Sequence, residues 1–223
     1  ALGYYSGASD QNSSGGSGDD NVWIGHQAGM KSSSVSDCTV IGAFAGDAIT
    51  TGGNNVALGR EALTSETTAA ANVALGTFTL YNQNVGSGIN AQNVGVGHQA
   101  GYAMTTGVQN TILGGYAGDA LTDADYNVVI GNEALTADTL GSRTTAIGYR
   151  ALATQNFTSA TNANNVAVGY GTLDSLLSGS DNIAIGDGVL DSLTTGSYNH
   201  GMGEDAGQNV TTGISNILLG RLA

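Results

Sequence analysis

The segment Asn-Val-Ala-Leu-Gly at residues 55–59 returns 17 residues later, again as Asn-Val-Ala-Leu-Gly, at residues 72–76. Close variants recur along the whole chain, such as Asn-Ile-Ala-Ile-Gly at residues 182–186. The glycine that closes each segment is called the marker glycine, and the markers are Gly3, Gly25, Gly42, Gly59, Gly76, Gly97, Gly114, Gly131, Gly148, Gly169, Gly186, Gly203 and Gly220. Successive markers are 17 residues apart nine times, 21 twice and 22 once. The chain is therefore built from a 17-residue unit, which every fourth copy lengthens by four or five residues.

Three short units and one long unit make a second period of 72 residues. Asn-Val-Trp-Ile-Gly-His-Gln-Ala-Gly at residues 21–29 returns as Asn-Val-Gly-Val-Gly-His-Gln-Ala-Gly at residues 93–101. We predict a single repeat domain over residues 1–223, with super-repeats at approximately 21–92, 93–164 and 165–223, and residues 1–20 as the end of a preceding block. Both chain ends fall inside a unit. Because an uncapped coil exposes a sheet edge, we expect the protein to continue there or the chains to abut end to end.

The residues around the marker glycine predict a short β-strand. The residue before the marker is aliphatic, and the residue two positions earlier is usually Val, Ile or Thr, so the two share one face of a strand. The residue between them is also mostly apolar, which is typical of a strand buried on both faces. Further apolar residues four and seven positions after the marker, such as Leu63 and Ile49, predict a second short strand. Turns such as Thr-Thr-Gly then close the unit.

Such a unit is one coil of a flattened, all-β, parallel β-solenoid (a β-roll) of about 12 coils. With adjacent strands about 4.8 Å apart, the coils form a rod of roughly 57 Å. The 36 glycines disfavour helix, since glycine costs about 1 kcal/mol relative to alanine inside one. A single coil carries too few apolar residues to be stable, and stacking makes its core continuous.

An asparagine stands four residues before the marker in most units. Stacked asparagine side chains form amide ladders along a cross-β axis, so we predict a structural ladder at these positions. Its members are Asn21, Asn55, Asn72, Asn93, Asn110, Asn127, Asn165, Asn182, Asn199 and Asn216. Cys38 and Thr144 occupy the same position in the two remaining units.

Composition bounds the partners. The net charge is −13 with only five Lys and Arg residues, whereas phosphate binding needs clustered cations. Nucleic acid and anionic membrane surfaces are therefore poor partners. No apolar run reaches the 18 or so residues of a membrane-spanning helix. One cysteine, Cys38, allows no disulfide within the chain.

The repeat units resemble those of phage tail fibres. Asn-Val-Ala-Leu-Gly-Arg-Glu-Ala-Leu at residues 55–63 and Thr-Ala-Ile-Gly-Tyr-Arg-Ala-Leu at residues 145–152 carry this resemblance. They are also similar to repeats of bacterial surface proteins and, more distantly, to the head repeats of trimeric autotransporter adhesins, whose unit is shorter. The resemblance implies a parallel homotrimer of left-handed β-rolls, located outside the cell on a virion tail or a cell surface. It implies the shaft or head of a fibre that presents a receptor-binding surface.

Several reactive residue types occur, but each follows the repeat. His26 and His98 occupy equivalent positions four coils apart, too distant to share a metal ion. Asp47, Asp119, Asp174 and Asp191 all lie five residues after a marker. A calcium ladder is one reading of these carboxylates and solvated turn residues the other, which we favour because the nonapeptide of calcium β-rolls is absent. We expect no catalytic residues, metal or cofactor, because the cations are scattered and no catalytic set departs from the periodic pattern.

The long units supply the candidate receptor contacts. Residues 4–20, 80–92 and 153–164 are expected to project from the same side of the rod as loops. Their aromatic residues Tyr4, Tyr5, Tyr81 and Phe157 are candidates for stacking on sugars of a host cell-surface glycan, with spacers or trimer contacts as the alternative. A single-chain solenoid filament or ice-binding rod is the alternative function, suggested by the Thr-Thr-Gly turns, although a regular Thr-x-Thr array is missing.

Overall fold

A computed structural model of the chain describes residues 1–9 and 20–223. Those two ranges contain short strands and turns, and no helix. The strands are β1 Val22–Ile24, β2 Thr39–Ile41, β3 Val56–Leu58, β4 Val73–Leu75, β5 Val94–Val96, β6 Thr111–Leu113, β7 Val128–Ile130, β8 Gly141–Ser142, β9 Thr145–Ile147, β10 Thr161–Asn162, β11 Val166–Val168, β12 Ile183–Ile185, β13 His200–Met202 and β14 Ile217–Leu219.

Twelve of these strands form one continuous parallel sheet, in which each strand pairs with its neighbours in the repeat. Val56 of β3 lies opposite Val73 of β4, and Val73 lies opposite Val94 of β5. The register therefore holds across both a 17-residue and a 21-residue unit, because the extra residues lie outside the strands. The structure confirms the predicted all-β parallel β-solenoid of about 12 turns.

The interior of the rod is a continuous column of small and medium apolar side chains. The middle residue of each strand points inward, and its two neighbours point outward. Ala57 of β3 is fully buried, whereas Leu58 beside it is 46% exposed. Buried residues in the following turn, including Ala62 and Leu63, complete each layer. The expected burial of both strand faces is thus met on only one face within a single chain.

The second short strand expected after the marker glycine does not form, and that prediction is wrong. The segment is a series of turns in which Glu61 and Leu63 adopt left-handed φ angles of 55° and 53°. Left-handed residues bend the backbone out of the extended conformation, so Leu63 reaches the interior without any strand. In the described residues, the strands β8 and β10 form only a separate two-residue pair.

The asparagines four residues before the markers form a hydrogen-bonded column inside the rod. Asn110 is fully buried. Its Oδ1 accepts a hydrogen bond from the backbone N–H of Asn127 at 2.9 Å, and its Nδ2 donates to the carbonyl of Ala124 at 2.8 Å. The backbone N–H at this corner is bonded to the side chain of the previous coil. Each asparagine therefore satisfies backbone groups that burial would otherwise leave unpaired.

We expect the substitution Asn110→Ala to lower the free energy of unfolding by about 2–4 kcal/mol. It leaves a buried N–H and a buried carbonyl without partners, and each such group costs about 1–3 kcal/mol. Urea denaturation followed by circular dichroism measures the loss. Asn132→Ala is the matched control, since Asn132 is exposed and bonds only at the surface, and a change within about 0.5 kcal/mol is expected. Equal losses in the two variants would contradict the structural role of the column.

Candidate binding surfaces

The outward side chains of the twelve-stranded sheet form a flat apolar surface, the strand face. It consists of the first and third residues of β1–β7, β9 and β11–β14. These residues are aliphatic or threonine apart from His200 and Met202, and Met202 is 51% exposed. Strand spacing and residue rise give a face about 10 Å wide and ~53 Å long. Its area of about 500 Å² is in the range of the largest apolar patches of monomers, which often mark interaction sites.

The turn after each marker glycine forms an edge of the rod along which aromatic rings collect. The side chains one, two and five residues after each marker are called the aromatic edge. Tyr4 stacks on His26 with ring centroids 5.7 Å apart, and His26 meets Phe44 edge-on at 5.0 Å. Tyr149 stacks on Tyr170 at 5.3 Å. Rings on successive coils come into contact because the repeat places equivalent residues one above the other.

The largest aromatic group lies in the middle of this edge. Tyr81 and Tyr102 stack with centroids 5.1 Å apart and planes 14° apart. Phe78 packs edge-on against Tyr81 at 5.8 Å, and His98 packs against Tyr116 at 5.3 Å. The predicted candidates His26 and His98 thus both lie against aromatic rings.

The four predicted sugar contacts lie in different environments. Tyr4 and Tyr5 are exposed, and residues 10–19 of their loop lie outside the described residues. Tyr81 is half-buried on the aromatic edge. Phe157 is only 7% exposed, so its ring is not available to stack on a sugar, and this candidate is withdrawn. Its backbone N–H donates to the buried carboxylate of Asp138 at 3.1 Å, which draws this part of the long unit inward.

Two buried carboxylates hold the long units and were not singled out from the sequence. Glu66 Oε1 accepts hydrogen bonds from the backbone N–H groups of residues 67–69 at 2.8–3.0 Å. Asp138 Oδ1 accepts from Gly141 at 3.1 Å. Both occupy the position seven residues after a marker, where other units carry an aliphatic residue. A carboxylate at an aliphatic position was the signal, and both groups are fully buried as anchors of the chain.

A cavity of about 270 Å³ interrupts the aromatic edge. This notch is lined by Phe44, Asp47, Glu61, Thr64 and Tyr81. The hydroxyl of Thr64 donates to Asp47 Oδ1 at 2.7 Å and lies 2.9 Å from the carbonyl oxygen of Phe44. The guanidinium of Arg60 pairs with Glu61 at 2.7 Å. The notch thus combines two rings with oriented polar groups.

A second cavity, of about 300 Å³, is acidic. Its lining residues are Tyr170, Gly171, Asp174, Ser175, Asp187, Gly188, Asp191 and Asp205. Asp174 is paired with Arg150 at 3.2 Å. Across residues 1–9 and 20–223, no three His, Cys, Asp or Glu side chains are grouped to hold a metal ion. The calcium hypothesis therefore has no ligand group in that part of the chain.

Burial raises the pKa of the Asp119 carboxyl, opposed by the hydrogen bond that the Thr136 hydroxyl donates to it. Because the folded protein holds this proton more tightly than the unfolded chain, the contribution of Asp119 to stability falls as pH rises from about 3.9 through the raised pKa. We expect Asp119→Asn to be more stable than the wild type at pH 7, and the difference to vanish near pH 3. Thermal unfolding across this range tests it.

The matched control for this pH dependence is Asp123→Asn. Asp123 is exposed on the opposite edge, so this variant removes the same charge from a solvated site. An equal gain in both variants at pH 7 would mean that net charge, and not burial of Asp119, causes the effect.

No helix long and apolar enough to cross a membrane occurs in residues 1–9 and 20–223. The chain matches no protein-family model, and neither the curated proteins nor the solved structures contain a significant match.

Proposed function

We propose that this chain is a structural segment, shaft or head, of an extracellular fibre, and that it assembles as a parallel homotrimer through the strand face. The observation that carries the proposal is the strand face itself. Twelve strands present two outward rows of aliphatic side chains without interruption by Asp, Glu, Lys or Arg. Burying such a face removes apolar surface from water at about 25 cal/mol per Å². Three copies around a threefold axis bury all three faces in a closed assembly.

The chemistry of the rest of the rod supports a mechanical role over a catalytic one. The interior is a continuous stack with a buried asparagine column, which stiffens the rod along its axis. Glu66 and Asp138, the buried carboxylates, are bonded to backbone N–H groups. The resemblance of the units to phage tail fibres and adhesin heads supports a location on a virion tail or cell surface. In this role the rod holds a receptor-binding surface away from the particle.

Light scattering coupled to size-exclusion chromatography tests the assembly. The expected result is a mass three times that of the 22.2 kDa chain, retained on dilution, with trimers after chemical crosslinking. A mass of one chain would overturn the proposed assembly. A dimer would also overturn it, although the strand face would then remain the candidate interface.

One observation favours the alternative of an ice-binding rod. Thr-Thr pairs stand eight and nine residues after five markers, at residues 50–51, 67–68, 105–106, 194–195 and 211–212. However, the hydroxyls of Thr50 and Thr194 donate to carbonyls of the next coil at 2.9 and 3.0 Å, and Asn84 and Leu177 interrupt the column. Thermal hysteresis measured on the purified monomer or trimer decides the matter: its presence supports ice binding, and its absence supports the fibre.

A further inference from the structure

We propose that the notch lined by Phe44, Asp47, Glu61, Thr64 and Tyr81 binds one uncharged pyranose ring of a glycan. The proposal rests on the fibre function proposed above and names the class of receptor group that the fibre takes. It follows from four features of the notch: its aromatic walls, its polar groups, its charge and its size.

The aromatic walls suit the faces of a sugar ring. Phe44 and Tyr81 belong to coils that are two apart, about 9–10 Å along the rod axis. Glu61 and Thr64 of the intervening coil are smaller, which opens the notch between the rings. The C–H faces of a pyranose are apolar, and aromatic rings bury such faces at little entropic cost because they have few rotatable bonds. Tyr81 is held in place by its stacking on Tyr102.

The polar groups suit the hydroxyls at the rim of the ring. The carboxylates of Asp47 and Glu61 accept hydrogen bonds, and charged acceptors form the stronger ones. Asp47 already accepts one bond from Thr64, which orients its carboxylate. Arg60 pairs with Glu61 and lies 5.3 Å from the centroid of Phe78. A few oriented polar groups between apolar walls are typical of small-molecule sites.

Charge decides between kinds of ligand. Two carboxylates in a protein of net charge −13 repel a sialic or uronic acid. The guanidinium of Arg60 stands beside Glu61 and opposes a bound ammonium group. The notch therefore favours a neutral sugar over both an acidic sugar and an organic cation.

Size limits the ligand to a single ring. The volume of about 270 Å³ corresponds to about nine water molecules at ~30 Å³ each. Equivalent positions one super-repeat later hold Tyr116, Asp119, Glu133 and Thr136, but Ala153 replaces Tyr81. That copy has the acids without the second aromatic wall, so we expect a single binding ring per chain.

Titration of the assembled wild-type protein with methyl glycosides of glucose, galactose and mannose and with N-acetylglucosamine, followed by saturation-transfer NMR, tests the site. Glucuronic acid, N-acetylneuraminic acid and choline are the charged probes. At least one neutral probe is expected to bind saturably in the millimolar range, as suits so small a ligand. Tyr81→Ala should weaken binding about tenfold or more, whereas Tyr81→Phe should retain it. Tyr126→Ala, at an exposed tyrosine of the opposite edge, should leave it unchanged.

Glu61→Gln provides a second variant that does not disturb the stacked rings, and it should also weaken binding. Circular dichroism confirms that each variant is folded before it is titrated. The proposal is overturned if no neutral probe binds, if choline or an acidic sugar binds in preference, or if folded Tyr81→Ala and Glu61→Gln both bind as the wild type does. Light scattering on the same samples separates the two proposals, because an intact trimer without sugar binding refutes the notch and leaves the fibre assembly standing.

Discussion

Replacing Gly114 with alanine is expected to lower the free energy of unfolding by about 4 kcal/mol or more. Gly114 has a φ of 139°, which L-residues rarely adopt, and a Cβ there would overlap the backbone carbonyl oxygen of Gly131 in the next coil. The obstacle is backbone, so no side chain can rotate away. Either Gly114 changes its φ or the two coils separate, and both outcomes break hydrogen bonds between stacked strands. Urea denaturation monitored by circular dichroism measures the loss.

Gly171→Ala is the matched control for this prediction. Gly171 also has a positive φ, of 57°, but no heavy atom lies within 4 Å of the position of an added Cβ. Its conformation is left-handed α, and we expect a cost of only about 1–2 kcal/mol. A loss as large as that of Gly114→Ala would show that backbone conformation alone, and not contact between coils, makes the marker glycines indispensable.

The double variant Val73→Glu, Leu75→Glu is expected to convert the proposed trimer to a folded monomer. Both residues point outward from β4 in the strand face. In the assembly they would place two carboxylates in an apolar interface, where an unpaired charge costs several kcal/mol. In a single coil stack the same carboxylates meet water, so the solenoid itself should survive. Light scattering should report 22.2 kDa, with an unchanged circular dichroism spectrum.

Thr51→Glu combined with Thr195→Glu controls for the added charge. Both threonines are exposed on the opposite edge of the rod, and the control protein should remain a trimer. Trimers of the Val73→Glu, Leu75→Glu variant would show that the strand face is not the interface. Dissociation of the control as well would show that charge repulsion, and not interface burial, separates the chains.

The stacking of the coils was predictable because it depends on a regular count of residues. Each marker glycine closes one lap, so residues one unit apart, such as Val56 and Val73, must pair. The same count placed the asparagines in one column. Their buried bonds follow from geometry that the repeat imposes on every coil alike.

The turns after the markers were mispredicted for an identifiable reason. Leu63 alternates with apolar neighbours as a strand residue would, but alternation indicates which side chains are buried and not which torsions deliver them there. Left-handed residues bring Leu63 inward from a turn. Phe157 was mispredicted similarly: a longer unit suggested a protruding loop, whereas the buried Asp138 carboxylate binds its backbone.

The notch could be predicted only in part. Tyr81 was selected as an aromatic residue of a long unit, and Asp47 was recognised as a periodic carboxylate. Phe44, 37 residues before Tyr81 in the sequence, was not connected with either. Their shared cavity depends on which side chains are short in the coil between them.

The sequence by itself determined the length of the coil, the strand in each coil, the order in which coils stack and the column of buried asparagines. All of these follow from a period, and a period can be read without coordinates. Only the tertiary structure decided which strand residues face outward, how the turns bend and which side chains of neighbouring coils enclose a cavity. These depend on backbone torsions and on the space left between particular side chains, which the repeat count does not specify.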